Sequence, residues 1–133
     1  MSEQAKQSSV VEWFAVTIDC SEPEELANFY AAALGGRITR RTPDSAIVKA
    51  DGQVLVFRQA ADYQATTWPL QGVPLRSHFE LIVSDLDAAM EATLQLGAKI
   101  AEDQDPEDPD ITVMVDPAGN PFCLIRSAVV PHD

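Results

Sequence analysis

His78 and Glu80 stand two residues apart in the extended run His78-Phe79-Glu80-Leu81-Ile82-Val83, a spacing that puts an imidazole and a carboxylate on one face of a strand. An imidazole titrates near neutrality and a neighbouring carboxylate tunes it, so these two residues are the candidate catalytic pair. Cys123 offers a thiol that becomes a nucleophile if His78 takes its proton. Each also has a structural reading. A lone strand histidine is more often a hydrogen-bonded scaffold residue, and a strand cysteine more often a buried, inert one. Trp13 and Trp68 can stack a planar ligand, with core or interface packing the plainer role for Trp13. The chain has no phosphate-cradling glycine loop, no GxSxG elbow and no HExxH helix.

The elements that must position these groups come in two copies. Trp13 to Asp19 forms an extended run that leads through Ser21-Glu22 into a helical pattern ending at Leu34-Gly35-Gly36; His78 to Val83 leads through Ser84-Asp85 into another, ending at Leu96-Gly97. Three short strands follow each helix, near 37–41, 44–49 and 53–58 in the first copy and 98–101, 111–115 and 121–126 in the second. Ser21 with Glu24 reads as a capping box for the first helix, and Ser84 with Asp87 marks the start of the second. Leu26, Phe29, Tyr30 and Ala33 form a core-facing stripe on one helix; Leu86, Ala89, Met90, Thr93 and Leu94 form it on the other. A repeat of this size means two copies of one supersecondary unit, neither large enough to fold alone.

These boundaries divide the chain into a disordered tail over 1–10 and a single domain over 11–127. Module one spans 11–58, a connection runs over 59–76, and module two spans 77–127. With 133 residues and 46% hydrophobic content, one domain with a proper core is the expected outcome. Two cysteines without a CxxC spacing argue for free thiols. No apolar stretch is long enough for a membrane span and no leader is seen, so a cytoplasmic location is expected. The net charge of −12 repels phosphate, which excludes nucleic acid and anionic membranes as partners and favours a cationic ligand. Part of that charge lies in the solvated segment 102–110, which lacks the glycine and closing glutamate of a calcium loop.

The repeated strand-helix-three-strand plan, Phe29-Tyr30, Leu34-Gly35, Leu96-Gly97 and Asp116-Pro117-Ala118-Gly119-Asn120 before the last strand together resemble the vicinal oxygen chelate superfamily of glyoxalases, bleomycin-resistance proteins and extradiol dioxygenases. The resemblance covers residues 12 to 126 and implies an α+β fold: two βαβββ modules whose sheets curl into a cleft. It also implies a divalent metal held by the first and last strands of both modules. Aligning the two copies places those four positions at Ala15, Val56, His78 and Cys123, and the first two cannot ligate. Two remaining donors do not make a zinc or magnesium site, so no metal cofactor is expected.

Strand alternation supplies the cleft lining. His78, Glu80 and Ile82 share one face; Ala15, Thr17 and Asp19 share another; Val54, Val56 and Arg58 a third; Cys123 and Ile125 a fourth. The expected ligand-binding residues are therefore Thr17, Val56, Arg58, His78, Glu80 and Cys123, with Trp68 from the connection. The leading functional expectation is a metal-free protein that binds an aromatic or cationic metabolite or drug. The alternatives are a metal-dependent or His78-dependent lyase or isomerase, and an interaction domain with a vestigial cleft. A homodimer is expected, because a second copy can cover the strand edges and the long connection, and the resemblance points the same way.

Overall fold

The structure, a computed structural model, describes residues 15–64 and 78–129. The tail over 1–10, Trp13, Trp68 and most of the expected connection lie outside those residues. Module one comprises β1 (Val16–Cys20), α1 (Pro23–Leu34), β2 (Arg37–Thr42), β3 (Ser45–Ala50) and β4 (Gln53–Gln59). Module two comprises β5 (Phe79–Val83), α2 (Leu86–Gln95), β6 (Lys99–Ile100), β7 (Ile111–Val115) and β8 (Pro121–Arg126), followed by a short 3-10 turn over Ser127–Val129.

Each module builds the same four-stranded mixed sheet, in the order β1-β4-β3-β2 and β5-β8-β7-β6. The first and last strands of a module pair in parallel, with Thr17 opposite Val56 and Glu80 opposite Cys123, while the remaining ladders are antiparallel. This is the α+β architecture of two βαβββ modules. In the second module β6 is cut to two residues. The Gln104 side chain takes over part of its work, donating to Ala101 O and Val113 O and accepting from Val113 N.

In both helices the N-cap falls one residue after the serine that the spacing predicts. Glu22 holds the N-cap position of α1 with no side-chain bond, and Pro23 fills the first turn, so Ser21 and Glu24 form no capping box. Asp85 rather than Ser84 caps α2, its Oδ1 accepting from Ala88 N at 3.0 Å. A short acidic side chain next to a serine competes for the same amide, and spacing alone does not rank them. Gly35 closes α1 at φ +68°, the left-handed geometry that favours glycine. Gly36 is held for a different reason: a Cβ there would lie 2.6 Å from Lys49 O and 2.7 Å from the Ala50 Cβ, so α1 leaves against β3 with no room for a side chain.

Strand alternation follows a period of two in β3, β4 and β5, whereas β8 is buried on both faces from Pro121 to Ile125, so Cys123 and Ile125 do not stand on an open cleft face. Ile18 and Cys20, Leu55 and Phe57, and Phe122 and Leu124 turn into the core, while Thr17, Asp19, Arg58 and Glu80 remain exposed. The centre of the molecule is aromatic. Tyr30 on α1 stacks on Phe57 of its own module at 5.5 Å and meets Phe79 of module two edge-on at 5.3 Å; Phe29 reaches Phe122 at 5.7 Å. Burying each such ring is worth roughly 1.5–3 kcal/mol. One helix of module one thus supplies the apolar seam that joins the two sheets.

Candidate functional site

The seam carries one polar interaction at its heart. The Tyr30 hydroxyl, buried with its ring, donates to Asp116 Oδ2 at 2.7 Å. Asp116 opens the turn between β7 and β8, and its Oδ1 accepts from the amides of Ala118 and Asn120, both at 2.9 Å. Tyr63, just after β4, holds the same turn from another side, its hydroxyl 2.8 Å from Ala118 O and 2.9 Å from Asn120 Oδ1. Burial pushes the Asp116 carboxyl above its ordinary value, and the donors from Tyr30 and the turn amides offset only part of that. Burial, then the Asp116 charge, raises the Tyr30 hydroxyl well above its usual range and takes Tyr63 to about 12.

A cavity of about 470 Å³ opens beside this turn, between β1 and the start of β5. Val16, Ile18, Phe79 and Pro121 supply apolar wall, and Thr17, Asp19, His78, Asp116 and Asn120 supply polar groups. Its size falls within the range of small-molecule sites, roughly 300–1,000 Å³. A second cavity of about 450 Å³ lies between the end of α1, β5 and α2, walled by alanines with Ile82, Leu96 and Glu80.

Of the residues expected from the sequence, Thr17 and His78 line the first cavity, and Glu80 borders the second. His78 Nε2 lies 3.3 Å from Glu80 Oε2, so the candidate pair is in contact. Arg58 turns along its ladder to Asp19, with Nη2 3.0 Å from Oδ1. Val56 on β4 and Cys123 on β8 line neither cavity, and Trp68 falls outside the described residues. Sequence reasoning did not single out Asp116, Asn120 or Tyr63 as site residues. A signal existed for Tyr30 and Asp116: a tyrosine in an otherwise apolar stripe needs a buried acceptor for its hydroxyl.

The four positions at which the fold would hold a metal do not fit one. Ala15 and Val56 bring no donor atom. The Cys123 thiol is 4% exposed, and burial followed by the charge of Glu80 pushes it up, away from the thiolate that binds metals. Among the described residues no group of three or more His, Cys, Asp or Glu side chains is arranged to hold an ion.

Paired βαβββ modules closed by an Asp-Pro-x-Gly-Asn turn, with a cavity at their junction, define a protein of the vicinal oxygen chelate type. The sequence model of the glyoxalase-like domain matches residues 15–125, and the chain belongs to that family. Solved structures agree on the fold. A glyoxalase/bleomycin resistance protein/dioxygenase family enzyme from Burkholderia phytofirmans is 15% identical with a TM-score of 0.64, over 85% of this chain and 96% of that one. A glyoxalase family protein from Enterococcus faecalis is 22% identical with a TM-score of 0.63, over 88% and 98%. The fosfomycin resistance protein FosX from Mesorhizobium loti is 12% identical with a TM-score of 0.64, over 88% and 93%. No curated protein matches the chain. No helix among the described residues is long and apolar enough to cross a membrane.

Proposed function

We propose that this chain is a small-molecule-binding protein of the glyoxalase-like family that takes an aromatic or amphipathic cation, without a catalytic metal. The observation that carries the reading is the junctional cavity, with apolar walls, carboxylates from Asp19 and Asp116, and His78 at its edge, inside a chain of net charge −12. An apolar body fits the walls, and the field of the whole molecule concentrates cations at the mouth. A panel of basic, neutral and acidic aromatic compounds, scored by thermal shift and by affinity at low and high salt, tests it. Basic compounds should bind, and more weakly as salt screens over about 8 Å at physiological ionic strength. Binding confined to anions would overturn the charge argument, and no binding at all would leave an interaction domain.

The contact between His78 and Glu80 favours a second reading, a lyase or isomerase in which His78 moves a proton and Glu80 orients its ring. Elemental analysis of protein purified without chelator separates this from a metal enzyme. Less than stoichiometric zinc, nickel, iron and manganese is the expected result. One metal per chain, lost on His78→Ala, would move metal-dependent catalysis into first place.

A further inference from the structure

Asp116 is a buried carboxylate with no countercharge among the described residues. It is 4% exposed, and the donors around its carboxyl, the Tyr30 hydroxyl and the amides of Ala118, Gly119 and Asn120, are all neutral. The ion pairs of the described residues join Arg41 to Glu24, Arg58 to Asp19, His78 to Glu80 and Arg126 to Asp110, and none of them reaches it. Burying a charge in this way is costly unless an opposite charge arrives. A carboxylate accepts at about four lone-pair sites. The turn amides of Ala118 and Asn120 bond to Oδ1, and among the described residues Tyr30 is the one donor bonded to Oδ2, which leaves a second acceptor site there on a residue that forms part of the cavity wall. The cavity's other carboxylate, Asp19, is already paired with Arg58.

Resting on the reading of this cavity as a cation site, we infer that Asp116 is the residue that selects the ligand's charge. An ammonium group of the ligand docks on Asp116 Oδ2, and where the pH leaves a proton on the carboxyl of the free protein, that proton passes to solvent as the N–H···O bond forms. The groups that face Asp116 are Tyr30 from α1, Cys20 from β1 and Tyr63, with Asp19 and His78 on the same cavity wall. Cys20, held up at about 11, and Tyr63, at about 12, keep their protons through the neutral range. Neither supplies the released proton. Affinity for the cation falls as the pH drops and Asp116 is protonated, because the ligand must then displace that proton.

The experiment is calorimetric titration of the whole chain with 2-phenylethylammonium and with the neutral 2-phenylethanol, in buffers of different ionisation heat between about pH 4 and about pH 8. The ammonium should bind about ten-fold or more tightly than the alcohol, with proton release that depends on pH. Asp116→Asn, which keeps the oxygen acceptor for the turn amides, should erase both the preference and the release. A preference that survives in folded D116N overturns the assignment, as does proton release that persists in D116N and vanishes in His78→Gln. If D116N does not fold, the count is made on wild type and H78Q: release in both supports Asp116, and no release in wild type at any pH overturns it. Equal binding of both probes sinks the Asp116 selection and leaves the cavity as a binding site. Binding of neither sinks both.

Discussion

Tyr30 and Asp116, 86 residues apart in the chain, meet in a buried 2.7 Å hydrogen bond that ties the helix of module one to the last turn of module two. The bond does two jobs. It satisfies a phenol that the aromatic seam would otherwise strand, and it gives a desolvated carboxylate its donor on Oδ2. Tyr30→Phe keeps the ring and its contacts but leaves Asp116 one donor short. The variant should be less stable by about 1–3 kcal/mol in urea unfolding, with an unchanged denaturant slope. An effect within a few tenths of a kcal/mol would show that the junction is held by apolar packing alone.

The pH dependence of stability has a definite sign. The folded state holds the Asp116 carboxyl above its ordinary value of 3.8, so folding favours the proton. The stabilising contribution is complete below the unfolded value and is lost as the pH rises through the folded one. Wild type should therefore lose stability relative to Asp116→Asn as the pH climbs above the ordinary carboxylate range. Parallel urea titrations across that range check it, and a difference that stays flat or runs the other way contradicts the assignment.

Both thiols should be slow. Cys20 is fully buried, its Sγ lies 3.7 Å from Arg58 O, and burial with the charges of Asp116 and Asp19 takes it to about 11. Cys123 is raised by burial and by Glu80. Thiolate is the reactive form, so native protein at about pH 8 should resist an alkylating reagent that labels both cysteines after denaturation. Rapid labelling of native Cys123 would instead return it to the list of candidate nucleophiles.

Each sheet leaves its first strand on an edge, β1 in one and β5 in the other, and these edges carry Val16 at 40% and Ile82 at 47% exposure. Exposed apolar edges invite pairing. Light scattering at micromolar concentration should give the mass of a homodimer, and Ile82→Lys should shift it toward monomer. A monomeric wild type refutes the expectation.

The strand and helix plan was legible because it rests on local periodicity: alternation in β1 and β5, the apolar stripe of α1, and glycine at the helix ends. Cap positions were less so. Ser21 and Ser84 each precede an acidic residue that takes the N-cap position instead, and the choice between neighbours depends on the angle at which the chain enters the helix. The junction was the least legible part. Tyr30 reads as one more core residue of α1 and Asp116 as one more turn residue, and only the docking of two modules brings them together. The same docking puts His78 and Thr17 on one cavity while leaving Val56 and Cys123 elsewhere, a separation that face-by-face alternation within single strands does not contain.

The parallel pairing of first with last strand in each module sets the order in which the chain can fold. Asp19 finds its ladder partner Arg58 only 39 residues later, after α1, β2 and β3 have been made, so β1 stays unpaired until its module is nearly complete. Module two repeats the delay, with β5 waiting for β8. Loop closure of this length is paid once per module, which gives the chain the slower folding of non-local topologies. On a ribosome the aromatic face of α1 is made well before its module-two partners Phe79, Asp116 and Phe122, and must wait for them.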